Sequence, residues 1–228
     1  EKSYDKNYAP AAIPLAVLYI NGNENSKDLQ EAVKILESVY KEQNEIGQDA
    51  SRLLGDLYSL PGFCEIDYQK AFDYYLMSED GYSLNRCGEI CLQGVLGTID
   101  KKRTVDFFVR SCNAGFGEAF VNLGNCYFEG IGVDKDYSKA FEFYKIAEEY
   151  KINKALFYLG RSFEYGFGTR KNFAKAVAYY QAAANENDPK GLYRFGKILM
   201  DSSDSELKRQ GYEFVIKTAF VYSYPPAM

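Results

Sequence analysis

Two stretches of this chain repeat one pattern 36 residues apart, and a chain that repeats itself at such a period must stack its units in a row. Ala119 opens AFVNLGNCYFEGIGVDKDYSKAFEFYKIA, and Ala155 opens ALFYLGRSFEYGFGTRKNFAKAVAYYQAA. Leu123 falls on Leu159, Gly124 on Gly160, Tyr127 on Phe163, and the pair Gly130/Gly132 on Gly166/Gly168. Ala140, Tyr144 and Ala147 fall on Ala176, Tyr180 and Ala183. A single unit of this size cannot bury its apolar face, whereas stacked neighbours bury it together.

Each unit reads as two helices. Ala119, Leu123 and Tyr127 share one helical face at i, i+4 and i+8. Gly124 inside that helix costs roughly 1 kcal/mol against alanine, so its recurrence implies a neighbouring helix too close for a side chain. Gly130 and Gly132 end the helix, and Asp136 is placed to cap a second one carrying Ala140, Phe141, Tyr144 and Ala147.

The order A-x3-LG-x2-Y-x2-G-x-G, a capping Asp, then KA-x3-Y-x2-A resembles the Sel-1-like repeat, a relative of the tetratricopeptide repeat. The resemblance implies an all-α, right-handed α/α superhelical solenoid that serves as a non-enzymatic adaptor or scaffold. It also implies partners of the regulatory, signalling or quality-control kind, without choosing among them.

The register extends both ways. Ser83, Cys87, Gly88, Cys91, Gly94 and Thr104 fill the same slots one period earlier, and Ala50, Leu54, Gly55, Tyr58 and Ala71 one shorter period before that. Ala11, Leu15, Ala16, Tyr19, Gly22 and Ala32 make a degenerate first unit; Gly191, Phe195 and Gly196 open a last one, with its second helix within 205–221. Six helix pairs (about 11–49, 50–82, 83–118, 119–154, 155–190 and 191–222) make residues 1–228 one expected domain. Asp28, Asp67, Asp100, Asp136 and Asn172 stand four residues before the second-helix alanine or its equivalent, a ladder of N-caps rather than of catalytic acids.

Composition removes whole classes of chemistry. The chain has no histidine, which takes away Ser-His-Asp and Cys-His arrangements and most zinc sites. The glycine pairs follow helices instead of opening them after a strand, so a phosphate loop is disfavoured and no cofactor is expected. The formal charge is −5 with no dominant Lys/Arg run, which argues against nucleic acid, and no apolar stretch is long enough for membrane insertion. The chain starts at Glu1 without an apolar leader, as a processed or trimmed product would.

Five cysteines, Cys64, Cys87, Cys91, Cys112 and Cys126, have no regular pairing. Cysteine-rich relatives of the family join two cysteines eight positions apart; Cys112 takes the first of those slots, but Phe120 takes the second. Free, packed thiols are therefore expected over metal binding. Free thiols and the lack of an N-x-S/T sequon lean towards the cytosol. A hydrolase of the cysteine-rich relatives' type is the alternative to the scaffold, although no activated nucleophile or base is visible.

In a solenoid the first helices line the concave side. Three residues after each opening small residue lie Pro14, Leu53, Arg86, Asn122, Tyr158 and Arg194; six after it lie Val17, Asp56, Glu89, Asn125, Arg161 and Lys197. Tyr165 belongs to the slot ten after it. Arg86, Asn122, Asn125, Tyr158, Arg161, Tyr165, Arg194 and Lys197 thus form the candidate partner-binding set. Arginine forks and rigid tyrosines suit an extended peptide or partner protein with an acidic or phosphorylated segment over the last two repeats. The competing reading is a solvated face whose cations pair with nearby Asp or Glu. Tyr212, Phe214, Val215, Phe220 and Tyr222 give the last helix an apolar edge, for which self-association or a folded-back tail are the alternatives.

Overall fold

The computed structural model describes residues 9–22, 26–59, 61 and 65–221, apart from the side chains of residues 9, 22 and 26–28. Every regular element among them is a helix. The helices fall into two compact units, residues 1–116 and 117–228. The first unit holds α1 (Ala9–Gly22), α2 (Ser26–Val39), α3 (Glu45–Ser59), α4 (Tyr68–Ser78), α5 (Gly81–Gln93) and α6 (Lys101–Asn113). The second holds α7 (Gly117–Glu129), α8 (Tyr137–Glu149), α9 (Lys154–Tyr165), α10 (Phe173–Asn185), α11 (Pro189–Met200) and α12 (Ser205–Val221). Successive helices pack as pairs, and in the second unit α9 also touches α7 and α11, so the three first helices run side by side. Among the described residues the structure contains the expected all-α architecture of six helix pairs.

The cap ladder places the second helices. The carboxylates of Asp67, Asp100 and Asp136 and the amide oxygen of Asn172 accept from backbone N–H groups of the first turns of α4, α6, α8 and α10. Each such cap stabilises its helix by about 0.5–2 kcal/mol. The backbone N–H groups of Asp67, Asp136 and Asn172 also donate to the carbonyls of Tyr58, Tyr127 and Phe163, which locks each turn against the preceding helix. Asp28 departs from the ladder. It lies inside α2, which begins at Ser26, and its side chain is outside the described residues. In the last pair the cap is Asp204, whose side chain accepts from the N–H groups of Glu206 and Leu207. Asp80 and Asp188 cap the first helices α5 and α11, a role the second-helix ladder does not reveal.

The recurring first-helix glycine meets an aromatic ring of its own second helix, always 20 residues on. A Cβ at Gly55 would lie 2.6 Å from the Tyr75 ring, one at Gly88 2.5 Å from Phe108, one at Gly124 2.6 Å from Tyr144 and one at Gly160 2.8 Å from Tyr180. All four rings are buried, and burying each stabilises the fold by roughly 1.5–3 kcal/mol. The degenerate first pair puts Ala16 and Leu36 in these slots, both fully buried. In the last pair two glycines meet instead: a Cβ at Gly196 would lie 2.9 Å from the Gly211 carbonyl oxygen, and one at Gly211 2.6 Å from that of Gly196.

Cys87, Cys91 and Cys126 are buried and Cys112 is half-buried; all four are free thiols. Cys64 lies outside the described residues. Burial pushes the Cys87, Cys112 and Cys126 thiols up to about 12. On the far side of α12, Tyr212, Ile216 and Phe220 form an exposed stripe at i, i+4 and i+8, Phe220 being 83% exposed. Phe214 and Val215 are half-buried, and Tyr222 lies outside the described residues.

Gly124→Ala should destabilise the chain by up to about 2 kcal/mol, because overpacking of about 1–3 kcal/mol outweighs the helix-propensity gain of about 1 kcal/mol. In a Tyr144→Leu background the same change should become neutral or stabilising, as chemical denaturation of the four chains will show. The native thiols at 87, 112 and 126 should resist iodoacetamide at pH 8 and react fully once unfolded, read by peptide mass mapping. Their raised folded-state values mean that unfolded thiols, ordinarily near 9, ionise first. The stabilisation is therefore complete below pH 9 and is lost as pH rises towards 12, so the unfolding free energy at pH 10 should lie below that at pH 8.

Candidate functional site

Buried tyrosines connect the core to the first-helix face. Tyr75 donates from its hydroxyl to Asp56 Oδ1 at 2.7 Å, and Tyr82 donates to the same oxygen at 2.7 Å. Ser59 Oγ lies 2.9 Å from the Tyr75 hydroxyl. Arg86 closes the cluster: its Nη1 pairs with Glu89 Oε2 at 2.5 Å, and its guanidinium stands 6.0 Å from the Tyr75 ring centre. Its Nε is buried with no hydrogen-bond partner among the described residues. In the first unit, then, the candidate Arg86 is engaged by its own fold.

The second unit arranges the same slots differently. Tyr144, 1% exposed, donates to Asn125 Oδ1 at 2.9 Å. Asn125 Nδ2 in turn donates to the Tyr158 hydroxyl at 3.4 Å, and Lys190 Nζ donates to that hydroxyl at 3.1 Å. The Tyr158 ring stacks on Tyr144 with centres 4.9 Å apart and planes 16° apart. Arg161 stands over Phe128, its guanidinium carbon 4.4 Å from the ring centre, and 5.8 Å from that of Phe167. Such a contact stabilises by about 0.5–2 kcal/mol and leaves the guanidinium edge open to hydrogen-bond acceptors. Asn125, Phe128, Glu129, Phe157, Tyr158, Arg161 and Lys190 enclose an open groove of about 340 Å³.

Three candidates meet in this groove: Asn125, Tyr158 and Arg161. Arg194 does not join them. It forms a short ion pair with Glu164, donates to the Tyr165 hydroxyl at 3.1 Å, and faces the Tyr180 ring at 5.8 Å. Glu164 also accepts from the buried Tyr180 hydroxyl at 2.7 Å. Tyr165 stacks on Phe167 with ring centres 5.6 Å apart. Lys197 is exposed in the last turn of α11, and Asn122 is half-buried on α7; neither lines the groove.

Lys190 and the aromatic walls Phe128 and Phe157 are missing from the candidate set. Lys190 occupies the slot just before the opening small residue, filled one period earlier by Lys154, whose ammonium pairs with Glu118 at 3.0 Å across that period. That slot faces the neighbouring repeat, and reading it along the register would have found the lysine. Among the described residues no three His, Cys, Asp or Glu side chains gather as metal ligands, and no helix is long and apolar enough to cross a membrane.

Comparison with known proteins follows the same helix pairs. The family model described as Sel1 repeat matches residues 48–80, 118–149 and 153–188. An uncharacterised Sel1-like repeat-containing protein of Schizosaccharomyces pombe is 36% identical over 77 residues, which span 33% of this chain and 12% of that protein. Among solved structures, a Sel1 repeat protein from Oxalobacter formigenes superposes with a TM-score of 0.79 at 19% identity, covering 92% of this chain and 87% of the other. A protective antigen of uropathogenic Escherichia coli with the SLR fold gives 0.71 at 18% identity, over 96% of this chain and 56% of the antigen. At such identities the superpositions establish the fold, while the family model and the Schizosaccharomyces pombe relative identify its units: three of the helix pairs of this chain are Sel1 repeats.

Proposed function

We propose that the chain is a non-enzymatic interaction scaffold that holds an extended peptide along the first helices of its second unit, with an acidic or phosphorylated side chain over the groove. The observation that carries this reading is Arg161. Its guanidinium faces the groove across the Phe128 ring and makes no ion pair or hydrogen bond with a described residue, unlike Arg86 and Arg194. Charge that a fold has not neutralised, beside rigid aromatic walls, is what a peptide carrying carboxylates or phosphates can use. Within the candidate set the surface therefore centres on Arg161, joined by Lys190, and not on Arg194. The apolar stripe of α12 is a second surface, for self-association; sedimentation of the chain against Phe220→Ser tests it, and a monomer with the original sequence ends it.

Two variants separate binding from folding. Peptides enriched from a random-sequence library by the purified chain should be rich in Asp and Glu. Arg161→Glu should cost them at least tenfold in affinity with the circular dichroism spectrum unchanged. Arg194→Gln should behave the other way, keeping the peptides while lowering stability by about 1–3 kcal/mol, because Glu164 is left partly buried without its cation. An enriched set that Arg161→Glu binds equally well would remove the groove as the binding surface.

A further inference from the structure

Counting protons in the groove leads beyond its charge. Tyr144 is buried, and burial with the neighbouring Tyr158 raises its pKa well above the ordinary phenol value, so it stays protonated and must donate. Asn125 Oδ1 is its acceptor, which turns the amide nitrogen towards Tyr158. The reversed amide would strand the Tyr144 proton in the core, at the cost of an unsatisfied buried donor. Tyr158 Oη thus accepts from both Asn125 Nδ2 and Lys190 Nζ, which occupies its two lone pairs. Its own O–H has no acceptor among the described residues and opens on the groove beside the Arg161 guanidinium. Glu129 on the rim offsets one of the two positive charges, leaving an excess of one.

From this we infer that Tyr158 O–H and Arg161 N–H form a directional seat for a single oxyanion, a carboxylate or phosphoryl group. The chain Tyr144–Asn125 is its positioning support. Tyr158 is held by its stack on Tyr144 and by two donors, so its free proton is aimed before any ligand arrives. A diffuse basic patch would bind anions by charge alone; this seat selects an acceptor that can take a hydroxyl proton and a guanidinium fork together. The inference rests on the peptide-binding reading and names the group that the groove holds.

Inorganic phosphate, acetate and chloride titrated at constant ionic strength into the full chain test it, with the Arg161 Nε–H resonance as readout. Phosphate, acetate or both should shift that signal saturably, and chloride should not. The stronger of the two identifies the natural group as phosphoryl or carboxylate. Tyr158→Phe keeps the stacked ring and removes the hydroxyl, so that Asn125 and Lys190 lose an acceptor as well; it should weaken the better anion on the order of tenfold with the circular dichroism spectrum unchanged. Asn125→Asp, which adds a charge and removes the amide donor, should abolish the response. An equal shift by chloride, or undiminished affinity in Tyr158→Phe, overturns the seat. If peptides from the library still depend on Arg161 in that case, the groove remains the binding surface and only the seat is lost.

Discussion

The contact between a first-helix glycine and a second-helix ring sets the spacing of everything else. With no Cβ at positions 55, 88, 124 and 160, the paired helix can bring a Tyr or Phe ring close against the backbone. The ring then fills volume that a smaller residue would leave as a cavity, and each cavity of that size would cost several kcal/mol. A helix-breaking residue is tolerated mid-helix because the space it vacates is occupied by one of the largest fully buried side chains of the fold. Where the glycine is replaced in the degenerate first pair, Ala16 faces a smaller Leu36 slot, so volume is conserved across the pair.

Three of these four rings are tyrosines, and their hydroxyls emerge on the first-helix face. Tyr75 ends on Asp56, Tyr144 on Asn125 and Tyr180 on Glu164, so every one finds an acceptor there. Phe108 has no hydroxyl to satisfy, and Glu89 in that unit is instead held by Arg86 and Asn85. Local chemistry of this kind makes the two units differ although their helices are built alike. In residues 1–116 the acids and cations of the face are absorbed by tyrosines and by one another. In residues 117–228 a neutral amide replaces the acid at position 125, and Arg161 is left facing outwards over an aromatic ring.

Repeats, helix pairs and most second-helix caps were legible in the chain because each depends on residues within one turn or at one fixed period. Asp67, Asp100, Asp136 and Asn172 act within three residues of themselves. The site was legible only in part. Asn125, Tyr158 and Arg161 could be placed on a shared face by their slots, but the engagement of Arg194 by Glu164 spans 30 residues and depends on side-chain geometry that no spacing rule encodes. The same holds for Lys190, whose reach to Tyr158 crosses 32 residues. Asp204 was missed for a different reason: the last pair closes on Gly196 and Gly211, so its second helix has no alanine slot from which to count back to a cap.

The emerging hydroxyls divide the first-helix face into positions that can change and positions that cannot. Replacing Asp56, Asn125 or Glu164 strands a proton inside the core, so drift at those sites is coupled to the ring beneath them. Arg161, Lys197 and Phe157 carry no such obligation. A lineage acquiring a new partner, or an engineer grafting one, has those positions to vary freely, while the tyrosine acceptors hold the frame on which the new specificity is written.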